Sequence, residues 1–183
     1  MLTETGDRAL ALAAAGGDLQ AFERLVTQHY ALIFRVGCRV LGDPAEAEDL
    51  AQDVAVGLAR KIRGFRGEAA FTTWLYRLVV NAALDRRRKA GRQARLVESF
   101  AETDALRRAA DEARSAEVDW LARALQALSP ELRATAALVL EEELTQAQTA
   151  EVLGIAEGTV AWRMAEIKRK LRALAKAGED AEI

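Results

Sequence analysis

The chain has 183 residues, half of them apolar and few aromatic, with 26 Lys/Arg against 28 Asp/Glu and only two prolines. Abundant Ala, Leu, Glu and Arg predict an all-α fold of one domain or two small ones. No apolar run is long enough to cross a bilayer, the acidic Glu4 and Asp7 do not suit a secretion signal, and the single Cys38 excludes an intrachain disulfide framework, so a cytoplasmic location is expected.

The charge is unevenly spread. Residues 1–95 carry 15 Lys/Arg against 11 Asp/Glu, residues 96–116 carry 3 against 5, and residues 117–183 carry 8 against 12. A net charge of −2 argues against unaided, tight binding of duplex DNA, whose affinity rests largely on phosphate neutralisation.

In chain order, a short helix over 7–15 stops at Gly16-Gly17. Asp18 is placed to cap a longer helix reaching about Leu41, with Phe22, Leu25, Val26, Leu32, Ile33 and Val36 as its buried stripe. Cys38 falls among these apolar residues and reads as a small buried hydrophobe. His29 has no second His or Cys at ligand spacing, so no metal site is expected. Gly42-Asp43-Pro44 supplies a stop, a cap and a first-turn proline. The helix it opens, to about Arg63, carries Leu50, Val54 and Leu58 on one face and Asp49, Gln52 and Asp53 on another. The helix dipole accounts for acids at its start, but Asp53 lies more than two turns in. A loop, Gly64-Phe65-Arg66-Gly67, follows.

The stretch Phe71–Lys89, FTTWLYRLVVNAALDRRRK, reads as a helix with Leu75, Leu78, Val79 and Ala82 in an apolar stripe. Trp74, Arg77, Asn81 and Arg88 fall at spacings that let them share another face, and the stretch ends in Arg86, Arg87, Arg88 and Lys89. A ring beside cations on a rigid element suits unpaired nucleic acid, because bases stack on the ring while cations hold phosphates. The alternative reading makes Trp74 a core residue and the basic run a solvated helix end.

Residues 93–116 lose the apolar periodicity and read as a linker between a first domain, 1–92, and a second, 117–177, before a short acidic tail, 178–183. In the second domain Val118, Leu121, Leu125 and Leu128 make one stripe. Ser129-Pro130-Glu131 opens a helix to about Glu143, and Thr145-Gln-Ala-Gln148 is a capping box for a short helix to Leu153. Gly154 turns the chain into a last helix with Val160, Met164, Ile167 and Leu171 inward. A short helix, a glycine turn and a longer helix describe a helix-turn-helix within a four-helix domain.

Taken together, AEAEDLAQDV (45–54), FTTWLYRLVVNAALDRRRK (71–89) and LSPELRATAALVLEEELTQAQTAEVLGIAEGTVAWRM (128–164) resemble, in order and spacing, bacterial RNA polymerase sigma factors of the extracytoplasmic-function class. The resemblance implies that Asp49, Gln52 and Asp53 contact core RNA polymerase. It also implies that Phe65, Arg66, Trp74, Arg77, Asn81 and Arg88 serve promoter melting and the non-template strand, Phe65-Arg66 helping to hold an extruded base. Thr159, Trp162, Arg163 and Glu166 would meet the duplex of the upstream promoter element. An anti-sigma partner is a further family expectation. Three departures stand out: small residues at Ala55-Val56-Gly57 after the acidic motif, Trp162 and Glu166 where the family often has small polar and basic residues, and Ala156 as a poor N-cap. Glu166 could accept a hydrogen bond from cytosine N4, whereas Trp162 could instead pack against a neighbour.

The expected function is therefore to bind core RNA polymerase, direct it to specific promoters and help melt the DNA, with no catalytic residue, cofactor or metal. The rival is an autonomous helix-turn-helix regulator binding an operator as a dimer. An enzyme fits poorly: there is one His, one Cys and no Gly-rich phosphate loop after a strand.

Overall fold

Helix ends fall where the punctuation residues stand. The computed structural model describes residues 4–97 and 123–179, with side chains over 6–92 and 123–176. Helix α1 spans Glu4–Ala15 and α2 spans Leu19–Leu41. Asp18 caps α2 by accepting from the Gln20 and Ala21 amides at 2.9 and 3.0 Å. Gly42 ends it in the left-handed region, φ 78°, donating its amide to the Cys38 carbonyl. A side chain there would also crowd the Arg133 guanidinium at 3.2 Å, a tight contact added to the left-handed backbone that calls for glycine. Asp43 caps α3, Pro44–Lys61, whose last turn tightens into a 3₁₀ turn at Ile62–Gly64.

Helix α4 spans Phe71–Val97, longer than its apolar stripe predicts. Most residues beyond Lys89 are good helix formers, and Gly91 costs only about 1 kcal/mol relative to alanine. The expected domain boundary at residue 92 thus falls inside a helix. The remainder of the expected linker lies outside the described residues, as do Val118 and Leu121 of the second domain's first stripe and residues 180–183 of the tail.

In the second half, residues 123–126 are helical, and Ser129 caps α5, Pro130–Ala136. The expected helix to about Glu143 runs unbroken to Glu141, but its second part differs in kind: α5 widens into a π turn at Ala137–Glu141, and Glu143 then takes a left-handed conformation, φ 55°. Helix α6, Gln146–Leu153, carries the full capping box between Thr145 and Gln148, and Gly154 ends it with φ 65°. Helix α7 spans Glu157–Glu179.

The larger core is built from one face each of α1 to α4, with Leu25, Ile33, Leu41, Leu50, Leu58, Phe71, Leu75 and Val79 all but sealed from solvent. Each such side chain stabilises by roughly 1.5–3 kcal/mol. Buried Asp7 on α1 faces His29 on α2 at 3.2 Å, and the imidazole packs edge-on to Phe71. Cys38 is only partly buried; burial pushes its thiol upward. A smaller core holds Leu128, Leu132, Ala136, Ala150, Val160, Met164 and Ile167. The opposite side of that unit, Ala134, Ala137, Leu138 and Val152, joins the larger core. Helices α5 and α6 therefore lie against α2 and α4. None of the described helices is long and apolar enough to cross a membrane.

Candidate nucleic-acid interface

Because α3 buries Leu50, Val54 and Leu58, its polar positions are turned outward. Asp49, Gln52 and Asp53 are all exposed. Val56, at the next position along this stripe, is 71 % exposed, so an apolar contact sits beside the carboxylates. Exposure next to acids, rather than helical periodicity, is what adds Val56 to this face. Gln52 donates to Glu48 at 3.3 Å, and Glu48 accepts from the Tyr30 hydroxyl at 2.8 Å. Asp53 pairs with Arg86 of α4, which also donates to the Glu46 carbonyl at 3.3 Å. One member of the basic run thus stitches α4 to α3.

Trp74 is half-buried. Its ring lies 5.5 Å from Phe65 and 5.9 Å from Phe71. Phe65 differs from expectation: it is 6 % exposed and packs edge-on to Phe71, so it is no free ring for an extruded base but a support for Trp74. The cause is the 3₁₀ turn, which closes with the Phe65 amide on the Ile62 carbonyl at 2.9 Å and turns the ring inward. Arg66 beside it remains exposed. Along α4, Arg77, Asn81 and Arg88 are exposed, as the spacing predicts. Arg88 pairs with Asp85 at 3.2 Å. Arg77 reaches across to donate to the Glu151 carbonyl of α6.

On α7, Val160, Met164 and Ile167 are buried as expected, and Trp162 stands 64 % exposed. Thr159 is half-buried. Arg163 does not project freely: it is partly buried and donates to the Thr135 hydroxyl at 3.3 Å, because α7 packs on α5 at this level. Glu166 is held by Arg169 through two hydrogen bonds of 2.8 and 2.6 Å, with Lys170 at 3.9 Å. The Arg169 bonds hold the Glu166 carboxyl below its ordinary value. Lys168, Arg169 and Arg172 extend the exposed cationic surface beyond the residues the motif names.

Two further groups join the halves. Arg133, 4 % exposed, donates to the carbonyls of Val40 and Leu41 at the end of α2 and to those of Leu125, Gln126 and Leu128. Burial, with Arg87 nearby, pulls its guanidinium down to about 10, so it stays charged at neutral pH. Glu142 receives two hydrogen bonds of 2.6 Å from Arg35 and one of 2.7 Å from the Tyr76 hydroxyl. Burial pushes Glu142 up, but these bonds and the Arg35 and Arg39 charges outweigh it, and the net shift is downward. Neighbouring Glu141 pairs with Arg39, yet burial wins there and raises its carboxyl.

The chain matches the family model for Sigma-70 region 2 over residues 25–93 and that for Sigma-70 region 4 over residues 119–171. It is 36 % identical over 176 residues to the ECF RNA polymerase sigma factor SigM of Mycobacterium tuberculosis, covering 93 % of this chain and 85 % of SigM. Among solved structures, CnrH in complex with the cytosolic domain of CnrY matches with a TM-score of 0.67 at 28 % identity, covering 93 % of this chain and 97 % of CnrH. The sigma factor RpoE in complex with the anti-sigma factor NepR from Bartonella quintana matches at TM-score 0.69 and 22 % identity, over 86 % of this chain and 98 % of that one, a likeness of fold.

Proposed function

This chain belongs to the extracytoplasmic-function class of RNA polymerase sigma factors, and we propose that its helices divide the work of promoter-specific initiation as follows. The exposed stripe Asp49, Gln52, Asp53 and Val56 docks on core RNA polymerase, with carboxylates meeting basic groups around an apolar contact. Trp74, braced by Phe65 and Phe71, offers its exposed edge to a base of the separated strand, while Arg66, Arg77, Asn81 and Arg88 hold the backbone. Helix α7 enters the major groove of the upstream element, with Trp162 and Thr159 toward the bases and Arg169 and Lys168 toward phosphates. Arg163 contributes only after leaving Thr135, and Glu166 chiefly positions Arg169.

One observation carries this reading: the region 2 match falls on α2–α4 and the region 4 match on the helix-turn-helix, so both halves belong to one initiation factor. The autonomous dimeric regulator has no comparable support. The chain supplies binding and strand capture, and the chemistry of RNA synthesis belongs to the polymerase. Structural relatives include complexes with CnrY and with the anti-sigma factor NepR; a protein antagonist of that kind is proposed for this chain too. The test is a mobility-shift comparison on promoter DNA. The chain alone is expected to bind weakly, given its net charge of −2, and with core polymerase to form a specific complex. Tight, specific duplex binding without polymerase would refute the division of labour.

A further inference from the structure

The exposed side of α7 is apolar where the helix begins and cationic where it continues. Val160, Met164 and Ile167 turn inward to the smaller core. That leaves Gly158, Ala161, Trp162 and Ala165 outward, all of them exposed. Their spacings of three and four place them on one stripe. Lys168, Arg169 and Arg172, also exposed, carry the stripe onward. Trp162 is its only large apolar side chain, and its neighbours carry nothing longer than a methyl. A Cβ added at Gly158 would meet nothing within 4 Å, so no contact among the described residues calls for glycine there. Glycine is disfavoured in a helix relative to alanine, and an exposed one leaves room for another molecule to approach the backbone closely.

The polar side chains beside this stripe are already engaged. Arg163 is partly buried and donates to the Thr135 hydroxyl of α5 at 3.3 Å. Both oxygens of Glu166 accept from Arg169, at 2.8 and 2.6 Å, so bonding to cytosine N4 would mean giving up an existing partner. What the stripe offers freely is an indole and two alanine methyls. The major groove presents one apolar group, the C5-methyl of thymine, and apolar side chains read it by contact. The cations that follow suit phosphates, which fix register and carry no sequence information. Against them stands Glu157, at the very start of the helix. Three exposed cations adjoining the ring fit a polyanion better than an apolar protein surface.

We propose that Trp162, flanked by Ala161 and Ala165, reads the C5-methyl of a thymine in the upstream promoter element. Selection at that base pair then rests on apolar contact rather than on hydrogen bonds to guanine or cytosine. The proposal rests on the reading of α7 as the helix that enters the groove, and it adds which base is read and through which atom.

The test selects duplexes from a library randomised over the upstream region, in two arms. One arm uses the full chain assembled with core polymerase. The other uses the chain alone at low salt, where its cations are least screened. In the enriched duplex, each thymine of the selected element is replaced singly by deoxyuridine, which removes the methyl and keeps the pairing. Competition binding is then measured for the parent and for Trp162→Ala. At one thymine at least, deoxyuridine should weaken the parent about fourfold, the effect of burying one methyl. Trp162→Ala should weaken binding to the thymine duplex and bind thymine and deoxyuridine alike, while Trp162→Phe keeps part of the difference. A folding defect would weaken both duplexes equally, so a methyl dependence that survives Trp162→Ala overturns Trp162 as its reader. Enriched elements that share no thymine, or thymines that all tolerate deoxyuridine, overturn the proposal outright. Unchanged binding of Trp162→Ala to the thymine duplex overturns it too, and gives the stripe to a protein partner. Enrichment by the chain alone but not with polymerase would sink the initiation reading, while the methyl comparison on that duplex still decides Trp162. No enrichment in either arm overturns both.

Discussion

Replacing Arg133 by methionine isolates the contribution of a buried cation that no carboxylate among the described residues neutralises. Of its five carbonyl partners, Leu125 at 3.1 Å and Gln126 are close, while Val40 at 3.4 Å, Leu41 at 3.3 Å and Leu128 at 3.3 Å are long. Hydrogen bonds to a charged group contribute roughly 1.5–3 kcal/mol each when well formed, so the two close ones carry most of the effect. Burial works against them, as the fall of the guanidinium to about 10 shows. Methionine keeps the aliphatic stem and abolishes that cost, but it leaves the carbonyls without a donor. The expected net loss is about 2–4 kcal/mol. For a chain of this size that lowers Tm by roughly 4–16 °C. Arg133→Lys should recover only part, since three donors on a point charge cannot serve carbonyls at two helix ends. Urea unfolding followed by tryptophan fluorescence and by circular dichroism measures it. A methionine variant within about 0.5 kcal/mol of the parent would refute the reasoning, showing that the carbonyls find other partners.

Trp74→Ala should cost about 2–4 kcal/mol in the same unfolding assay, because it uncovers Phe65 and Phe71; a neutral result would mean the ring braces nothing. Asp53→Arg should cost no more than about 1 kcal/mol of stability, the Asp53 end of its ion pair with Arg86 being exposed, yet weaken binding to core polymerase by about tenfold in a competition assay. Unaltered polymerase affinity would remove Asp53 from the docking face. Glu142, held below its ordinary value when folded, contributes stability that is present above its unfolded pKa of about 4.5 and lost as pH falls through the lower folded value. Glu142→Gln should flatten that acid limb of the stability curve. Glu141 has the opposite shift, so Glu141→Gln should be neutral or stabilising at neutral pH; a large loss there would contradict the burial argument.

The local architecture was legible because its signals are local. Asp18, Asp43, Thr145 with Gln148, Gly42 and Gly154 are caps whose chemistry works within a few residues, and each stands where the pattern puts it. The buried stripes of α2, α4 and α7 follow from helical periodicity alone. The misses are tertiary. Phe65 reads as a loop aromatic, but its ring is claimed by Phe71 and Trp74. Arg163 faces outward on a wheel, but Thr135 of α5 intercepts it. No spacing rule links Glu142 to Arg35 and Tyr76, or Arg133 to the end of α2, because those partners lie on distant segments. The π turn escaped for a related reason: Ala137–Glu141 has ordinary helix formers, and nothing in that local sequence marks the widening.

Run-off transcription with purified core polymerase and this chain, on a library of randomised promoters, tests the central claim most directly. Sequenced transcripts should converge on templates sharing two separated promoter elements, and Trp74→Ala and Asp53→Arg should each reduce the yield. Transcripts that start at random, or the same yield and start sites with the chain omitted, would contradict it.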